Sequence, residues 1–296
     1  MIVYIKLLLT AVFWGGTFIA GRIVAKDLGP FSAAFLRFAV ASVFLLFFTW
    51  KVEHRLVLPK KEQIIPVVLL GLTGVFSYNV FFFKGLKLID AGRAAIIIAN
   101  NPIIIAVLSA YFFKEKLNLL KGIGIIVSVA GAIIVISKGN LNQLVNGGIG
   151  RGEIFIFCCV LSWVAYSLIG KAVMTNLTPL SSVCYSAVIG AGLLFFPAYL
   201  EGVATNFSRL HLRDWLSIFY LGFFGTVIGF VWYYEGIKEI GLTRASLFIN
   251  FVPISAVLLA FLILKEPITA SLFVGTLLVT AGVYLTTSNH INPDIS

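Results

Sequence analysis

Residues Phe81–Glu115 read FFFKGLKLIDAGRAAIIIANNPIIIAVLSAYFFKE, and residues Trp232–Glu266 read WYYEGIKEIGLTRASLFINFVPISAVLLAFLILKE. One constant spacing of 151 residues sets Gly85 on Gly236, Arg93 on Arg244, Pro102 on Pro253 and Lys114-Glu115 on Lys265-Glu266. Each stretch is two apolar segments joined by a polar turn, with a proline inside the second segment. The correspondence extends outward. A spacing two residues shorter sets Trp14 on Trp163, Gly21 on Gly170, Arg22 on Lys171 and Pro30 on Pro179. At the far end Gly124 falls on Gly275 and Gly131 on Gly282. The chain therefore reads as two copies of one unit, residues 1–138 and 152–288, with a linker at 139–151 and a tail at 289–296.

Of the 296 residues, 60% are hydrophobic and only 11% are charged. A soluble domain carries about a quarter charged residues. Ten apolar segments each have the length, about 20 residues, that crosses a bilayer as a helix. They run 4–24, 31–50, 64–83, 91–113, 119–137, 152–171, 180–200, 214–234, 243–264 and 270–287. The short alternating segments of a membrane β-barrel are missing. Five spans per unit is an odd number, so the second unit enters from the opposite face. The expected fold is an all-α integral membrane protein, with ten transmembrane helices in two inverted five-helix repeats around a central cavity.

The net charge of +10 sits between the spans, which suits anionic lipid headgroups and not a nucleic acid. The basic loop Lys51–Lys61 is the densest and places both termini in the cytoplasm. Lys6 precedes an apolar run, but that run aligns with an internal span and is expected to be retained. Cys158, Cys159 and Cys184 lie inside apolar segments without metal-ligand spacing. No cofactor is implied.

Polar groups inside spans mark the candidate site, because they are costly against lipid. Thr243, Ser246 and Asn250 follow a helical face in the ninth span, and Pro253 would free the Ile249 carbonyl. They either line a cavity or bond neighbouring helices. In the fourth span Asn100 and Asn101 precede Pro102 and point about 100° apart. One of them lines the cavity and the other bonds a neighbour. Trp14 and Thr17 in the first span match Trp163 and Tyr166 in the sixth, as two walls of a cavity or as packed core. Tyr78, Asn79, Trp232 and Tyr233 close one mouth of the cavity or belong to an interfacial belt. Arg37 is the one charge well inside a span, and either snorkels outward or meets an anionic substrate group. Glycines in spans five and ten suit close packing, within the scaffold or in a homodimer. Lys114-Glu115 and Lys265-Glu266 precede the N-cap residues Asn118 and Thr269 and read as turn and capping elements.

With ten spans in two inverted halves, FWGGTF at Phe13–Phe18, the glycine-lysine and AGRAA turn from Gly85 to Ala95, the mid-span prolines, the Lys-Glu endings and the glycine-rich closing helices, the chain resembles the drug/metabolite transporter superfamily, and within it the EamA-type exporters. The resemblance implies an inner-membrane carrier. Spans 1–4 and 6–9 would enclose a central cavity, with spans 5 and 10 to the side.

The residues and the resemblance together point to a secondary transporter working by alternating access, exporting amino acids or related small metabolites. The proposed cavity groups are neutral, which suits an amphipathic or zwitterionic molecule. A multidrug exporter of hydrophobic compounds is the alternative within the class, and a channel-like or structural membrane protein is the alternative outside it. An enzyme is not expected: His54, His211 and His290 lie in loops or the tail, and no hydrolase or metalloprotease motif occurs. With no carboxylate in mid-span, movement is either facilitated down a gradient or coupled to protons through an edge group such as Glu153 or Glu235.

Overall fold

A computed structural model describes residues 2–54, 59–101, 103–105, 107–108, 119–137, 139–140, 149–174, 177–207 and 210–287. Pro102, Lys114, Glu115, Asn118, most of the linker and the tail lie outside the described residues, as does the side chain of Thr243. Among the described residues there is helix and no strand. In hydrocarbon every backbone amide and carbonyl needs an internal partner, which a helix supplies within one segment.

Seven helices are long and apolar enough to cross a membrane: α1 (Ile2–Asp27), α2 (Pro30–Glu53), α3 (Lys61–Leu88), α6 (Arg151–Val173), α7 (Pro179–Leu200), α8 (Leu212–Ile240) and α9 (Arg244–Leu264). Three more apolar helices are shorter in the described residues: α4 (Ala91–Ile105), α5 (Leu119–Ile136, apolar over Gly122–Val135) and α10 (Ala270–Thr287, apolar over Ala270–Gly282). Each of the ten predicted spans thus carries a helix. Exposed Ile126, Phe196 and Leu262 face outward, while Arg37, Asn79, Asn101 and Thr226 are buried. Apolar outside and polar inside is the distribution a bilayer demands.

Proline starts α2 and α7 at matched positions, Pro30 and Pro179, where a missing amide costs nothing. The two helices then complete each other. Glu201, just past the end of α7, accepts the Ser32 amide in the first turn of α2 at 2.6 Å. Glu53, at the end of α2, accepts the Ser181 hydroxyl at 2.7 Å and the Thr178 hydroxyl, both at the start of α7. A carboxylate at a helix N-terminus satisfies free amides and meets the positive end of the dipole. Equivalent helices are therefore packed antiparallel, end to start, which is the contact pattern of an inverted repeat.

α5 and α10 pair to one side of the other eight helices. A Cβ on Gly131 would lie 2.9 Å from the Gly275 carbonyl oxygen, and one on Gly275 would lie 2.9 Å from the Gly131 carbonyl oxygen. A Cβ on Gly282 would meet the Gly124 carbonyl. These glycines are used up inside the chain by backbone-to-backbone approach. Ile96, Ala99, Ile103, Val135, Val257 and Val279 form a separate small core that joins this pair to α4 and α9.

Regular helix is interrupted at matched places. The π-helical turns Gly71–Ser77 in α3 and Phe223–Ile228 in α8 occupy equivalent positions. α4 breaks at Ala99 and Asn100, where the Ile103 amide reaches the Asn100 carbonyl at 3.1 Å, three residues back. α9 tightens to a 3-10 turn over Leu247–Asn250 before Pro253. In each copy the break precedes the mid-span proline, which cannot donate to the preceding turn.

Glu201→Ala is expected to lower stability by about 1 kcal/mol, the worth of a helix cap, and Glu53→Ala to do the same. Thermal unfolding of the purified protein in detergent checks both. Gly275→Leu is expected to cost more, about 1–3 kcal/mol for overpacking, in the same assay.

Candidate functional site

Seven of the eight inner helices line a small central cavity. Trp14, Thr17 and Phe18 come from α1, Arg37 from α2, Tyr78 from α3, Ile98 and Asn101 from α4, Trp163 from α6, Phe230 from α8, and Ile249 and Val252 from α9. Its volume is about 30 Å³, more than the roughly 10–15 Å³ that one water needs on this measure but too little for a metabolite. The reason is aromatic packing. The rings of Trp14 and Trp163 meet edge to face at 5.1 Å and 85°, and Phe230 packs on Trp163 at 5.1 Å.

Arg37 is the polar centre of the cavity and is only 2% exposed. Its Nε donates to Thr226 Oγ1 at 2.9 Å and its Nη1 donates to Asn79 Oδ1 at 2.9 Å. Asn79 Nδ2 donates onward to the Gly74 and Val75 carbonyls at 3.1 and 2.9 Å. The Thr226 hydroxyl donates to the Leu221 carbonyl at 3.0 Å. A π turn widens the helix and releases carbonyls from the regular ladder. Here both π turns are tied, through one side chain each, to one guanidinium. Nη2 carries no hydrogen bond to the described residues. The ion has no carboxylate partner among them, and its flat face lies 5.4 Å from the Phe38 ring centre and 5.9 Å from that of Phe230.

This corrects two expectations. Arg37 does not snorkel to a surface, and the cavity is not neutral. Asn79 does not line the cavity, because its amide is spent on Arg37 and on the α3 backbone.

The other predicted residues divide by depth. Trp14, Thr17, Tyr78, Asn101 and Trp163 reach the cavity. The Thr17 hydroxyl returns to the Trp14 carbonyl at 2.6 Å, and the Trp14 indole donates to the Gly225 carbonyl at 2.9 Å. Asn101 Oδ1 is buried without a hydrogen-bond partner among the described residues. Asn100 turns away and accepts from Ser128 of α5 at 2.9 Å, so the two asparagines split between cavity and helix contact. Tyr166 and Tyr233 stand one layer behind. Tyr166 stacks on Tyr234 at 5.0 Å and its hydroxyl sits 3.4 Å from that of Ser186. The Tyr233 hydroxyl lies 3.3 Å from that of Ser167. Trp232 is on the outer side of α8, 6.2 Å from the Phe13 ring.

Ser246 and Asn250 are buried but do not line the central cavity. The helical face read across Thr243, Ser246 and Asn250 assumed about 100° per residue, and the 3-10 turn advances about 120°. Ile249 and Val252 take the inner face instead. Sequence reasoning also missed Phe18, Phe230 and Ile98 as lining residues, since apolar side chains in apolar spans carry no signal of facing inward.

Two ion pairs join helices of different copies. Lys6 of α1 meets Glu235 of α8 at 2.7 Å. Arg93 of α4 meets Glu153 of α6 at 2.7 Å on the opposite side. Glu266 accepts the Ala91 and Gly92 amides at 3.2 and 3.3 Å, capping α4 from the other copy.

The EamA-like transporter family matches this chain twice, over residues 1–137 and 150–288. The uncharacterized transporter YyaM of Bacillus subtilis (strain 168) is 30% identical over 98% of this chain and 94% of its own length. A probable terminal-alkyne amino-acid exporter of Streptantibioticus cattleyicolor is 26% identical over 94% of this chain and 91% of its own length. One solved crystal structure shares the fold with a TM-score of 0.71 at 19% identity, covering 99% of this chain and 98% of its own.

Asn79→Leu is expected to destabilise by about 1–3 kcal/mol, because it strands Arg37 Nη1 and two carbonyls. The double variant with Arg37→Met is expected to be more stable than the sum of the two single losses. A double-mutant cycle in thermal unfolding reads the coupling.

Proposed function

The chain belongs to the EamA-like transporter family of the drug/metabolite transporter superfamily, and from that premise we propose that it is a secondary transporter exporting amino acids or related small zwitterions by alternating access. The family and the apolar helices make it a multi-pass membrane transporter. The substrate class is carried by one observation: the central cavity pairs a guanidinium with an amide oxygen that has no partner among the described residues, inside an aromatic wall. Arg37 Nη2 suits a carboxylate. Asn101 Oδ1 suits an ammonium. The indole and phenyl rings suit an apolar side chain. The name of the Streptantibioticus relative agrees with this class. A hydrophobic cation, the multidrug alternative, would meet the Arg37 charge unfavourably.

Transport then follows from the frame. The two half-units, 1–138 and 152–288, rock about the cavity and open it to one face at a time. The Lys6–Glu235 and Arg93–Glu153 pairs close the opposite ends. Both termini face the cytoplasm of the inner membrane.

Counterflow of radiolabelled hydrophobic amino acids in proteoliposomes tests this. Asn101→Leu is expected to reduce uptake about tenfold or more, the worth of one hydrogen bond to a charged group, without loss of folded protein. Saturable wild-type counterflow that is unchanged in this variant would reject the site. Non-saturating flux without counterflow would reject the carrier.

A further inference from the structure

α5 reaches the break in α4 through a polar contact. The Ser128 hydroxyl, fully buried, donates to Asn100 Oδ1 at 2.9 Å. Asn100 stands in the break. Its backbone amide bonds the Ile97 carbonyl, three residues back, at 3.2 Å. A regular α-helix would use the Ile96 carbonyl, four residues back. The Asn100 side chain makes up that bond: Nδ2 donates to the Ile96 and Ile97 carbonyls at 3.2 Å each. With Nδ2 on these carbonyls, Oδ1 is turned toward α5. The Asn100 carbonyl in turn receives the Ile103 and Ile104 amides at 3.1 and 3.4 Å. Ile98 and Asn101, on either side of Asn100, both line the central cavity. The turn that presents them is therefore bonded through one side chain, and Ser128 holds that side chain from outside.

The second copy shows that the frame does not require this contact. The 151 spacing sets Ser128 on Val279, Asn100 on Phe251 and Asn101 on Val252. Val279 is buried and Phe251 is half exposed. The side pair thus packs against an irregular helix in both copies, and these positions are polar in the first alone. What differs with them is the residue presented to the cavity. Val252 is apolar, and its contacts tolerate a range of orientations. Asn101 is an amide, whose hydrogen bonds weaken steeply with angle. The polar link occurs in the copy whose cavity residue has to be aimed. Ile96, Ala99 and Ile103 around it belong to the small apolar core between α4 and the side pair, where a hydrogen bond is strengthened by the low dielectric.

We propose that Ser128 is a positioning residue of the central site, acting through Asn100 to fix the turn of α4 that presents Asn101 to the cavity. The proposal rests on the reading of that cavity as the transport site. It gives the side pair a part in transport. Gly282 of α10 leaves room for the Ser128 backbone, so both helices of the pair set where Ser128 stands. A displacement of the pair reaches Asn101 through Ser128 and Asn100, two residues that do not themselves touch the cavity.

Ser128→Ala removes the hydroxyl and keeps the helix. Two measurements on the full chain test the proposal. Amide hydrogen exchange of the detergent-purified protein, read by mass spectrometry, is expected to be about three- to tenfold faster over residues 96–105 than in wild type, the effect of losing one hydrogen bond. Counterflow of L-phenylalanine in proteoliposomes is expected to show KM raised by about the same factor, with kcat per folded molecule kept. Ser137→Ala is the comparison. It removes a buried hydroxyl at the end of α5 that donates to the Ile134 carbonyl at 3.2 Å, and is expected to leave KM at the wild-type value. Unchanged exchange over 96–105 in Ser128→Ala overturns the proposal. Faster exchange with an unchanged KM overturns it too, since the bond is then scaffold alone. An equal rise of KM in both variants does the same, by assigning the effect to a general loosening of α5. Absence of counterflow in wild type rejects the transport reading instead, and the exchange rate then decides by itself whether Ser128 holds the turn.

Discussion

A guanidinium inside a membrane protein has to be paid for in hydrogen bonds, and Arg37 collects them from two helices at once. Asn79 brings the π turn of α3 and Thr226 brings that of α8. The two turns occupy the same position in the two copies, so a single charge on α2 ties together the symmetric elements of both halves. Removing any member leaves buried polar groups without partners, which is the expensive outcome in a low dielectric. The arrangement holds the ion in one place and leaves Nη2 on the cavity side. The rest of the site is built around that point.

Symmetry supplies the frame, and its violations supply the chemistry. α2 and α7 cap each other reciprocally, α5 and α10 share matched glycine contacts, and α4 and α9 both break ahead of a proline. Inside this frame the equivalent positions differ. Arg37 corresponds to Ser186, and Asn79 corresponds to Phe230, which lines the cavity as a ring. Asn250 corresponds to Ala99. A substrate without twofold symmetry is best met by walls that lack it too, and a frame with twofold symmetry is best suited to opening on either face.

The narrowness of the centre has a simple physical source. Two indoles, one from each copy, fill the centre against each other and against Phe230. Ion pairs also join helices of different copies, Lys6 with Glu235 and Arg93 with Glu153. At the centre, Asn101 Oδ1 is buried without a hydrogen-bond partner among the described residues.

The amino-acid sequence alone determined the class and the plan. Apolar segments of bilayer length demand helices, and a repeat of five such segments demands inversion. Trp14, Thr17, Tyr78, Asn101 and Trp163 were legible as cavity residues because they are polar or large, at depth, on a helical face. Only the tertiary structure decided which polar groups face one another. Helical periodicity places a side chain on a face only while the helix is regular, and α3, α8, α4 and α9 are irregular where it matters. That is why Asn250 and Ser246 left the central cavity. It is also why Arg37, an isolated charge with no carboxylate in reach of any sequence rule, emerged at its centre. Its partners are an amide and a hydroxyl from spans 42 and 189 residues away, and no local pattern records a hydrogen bond made across that distance.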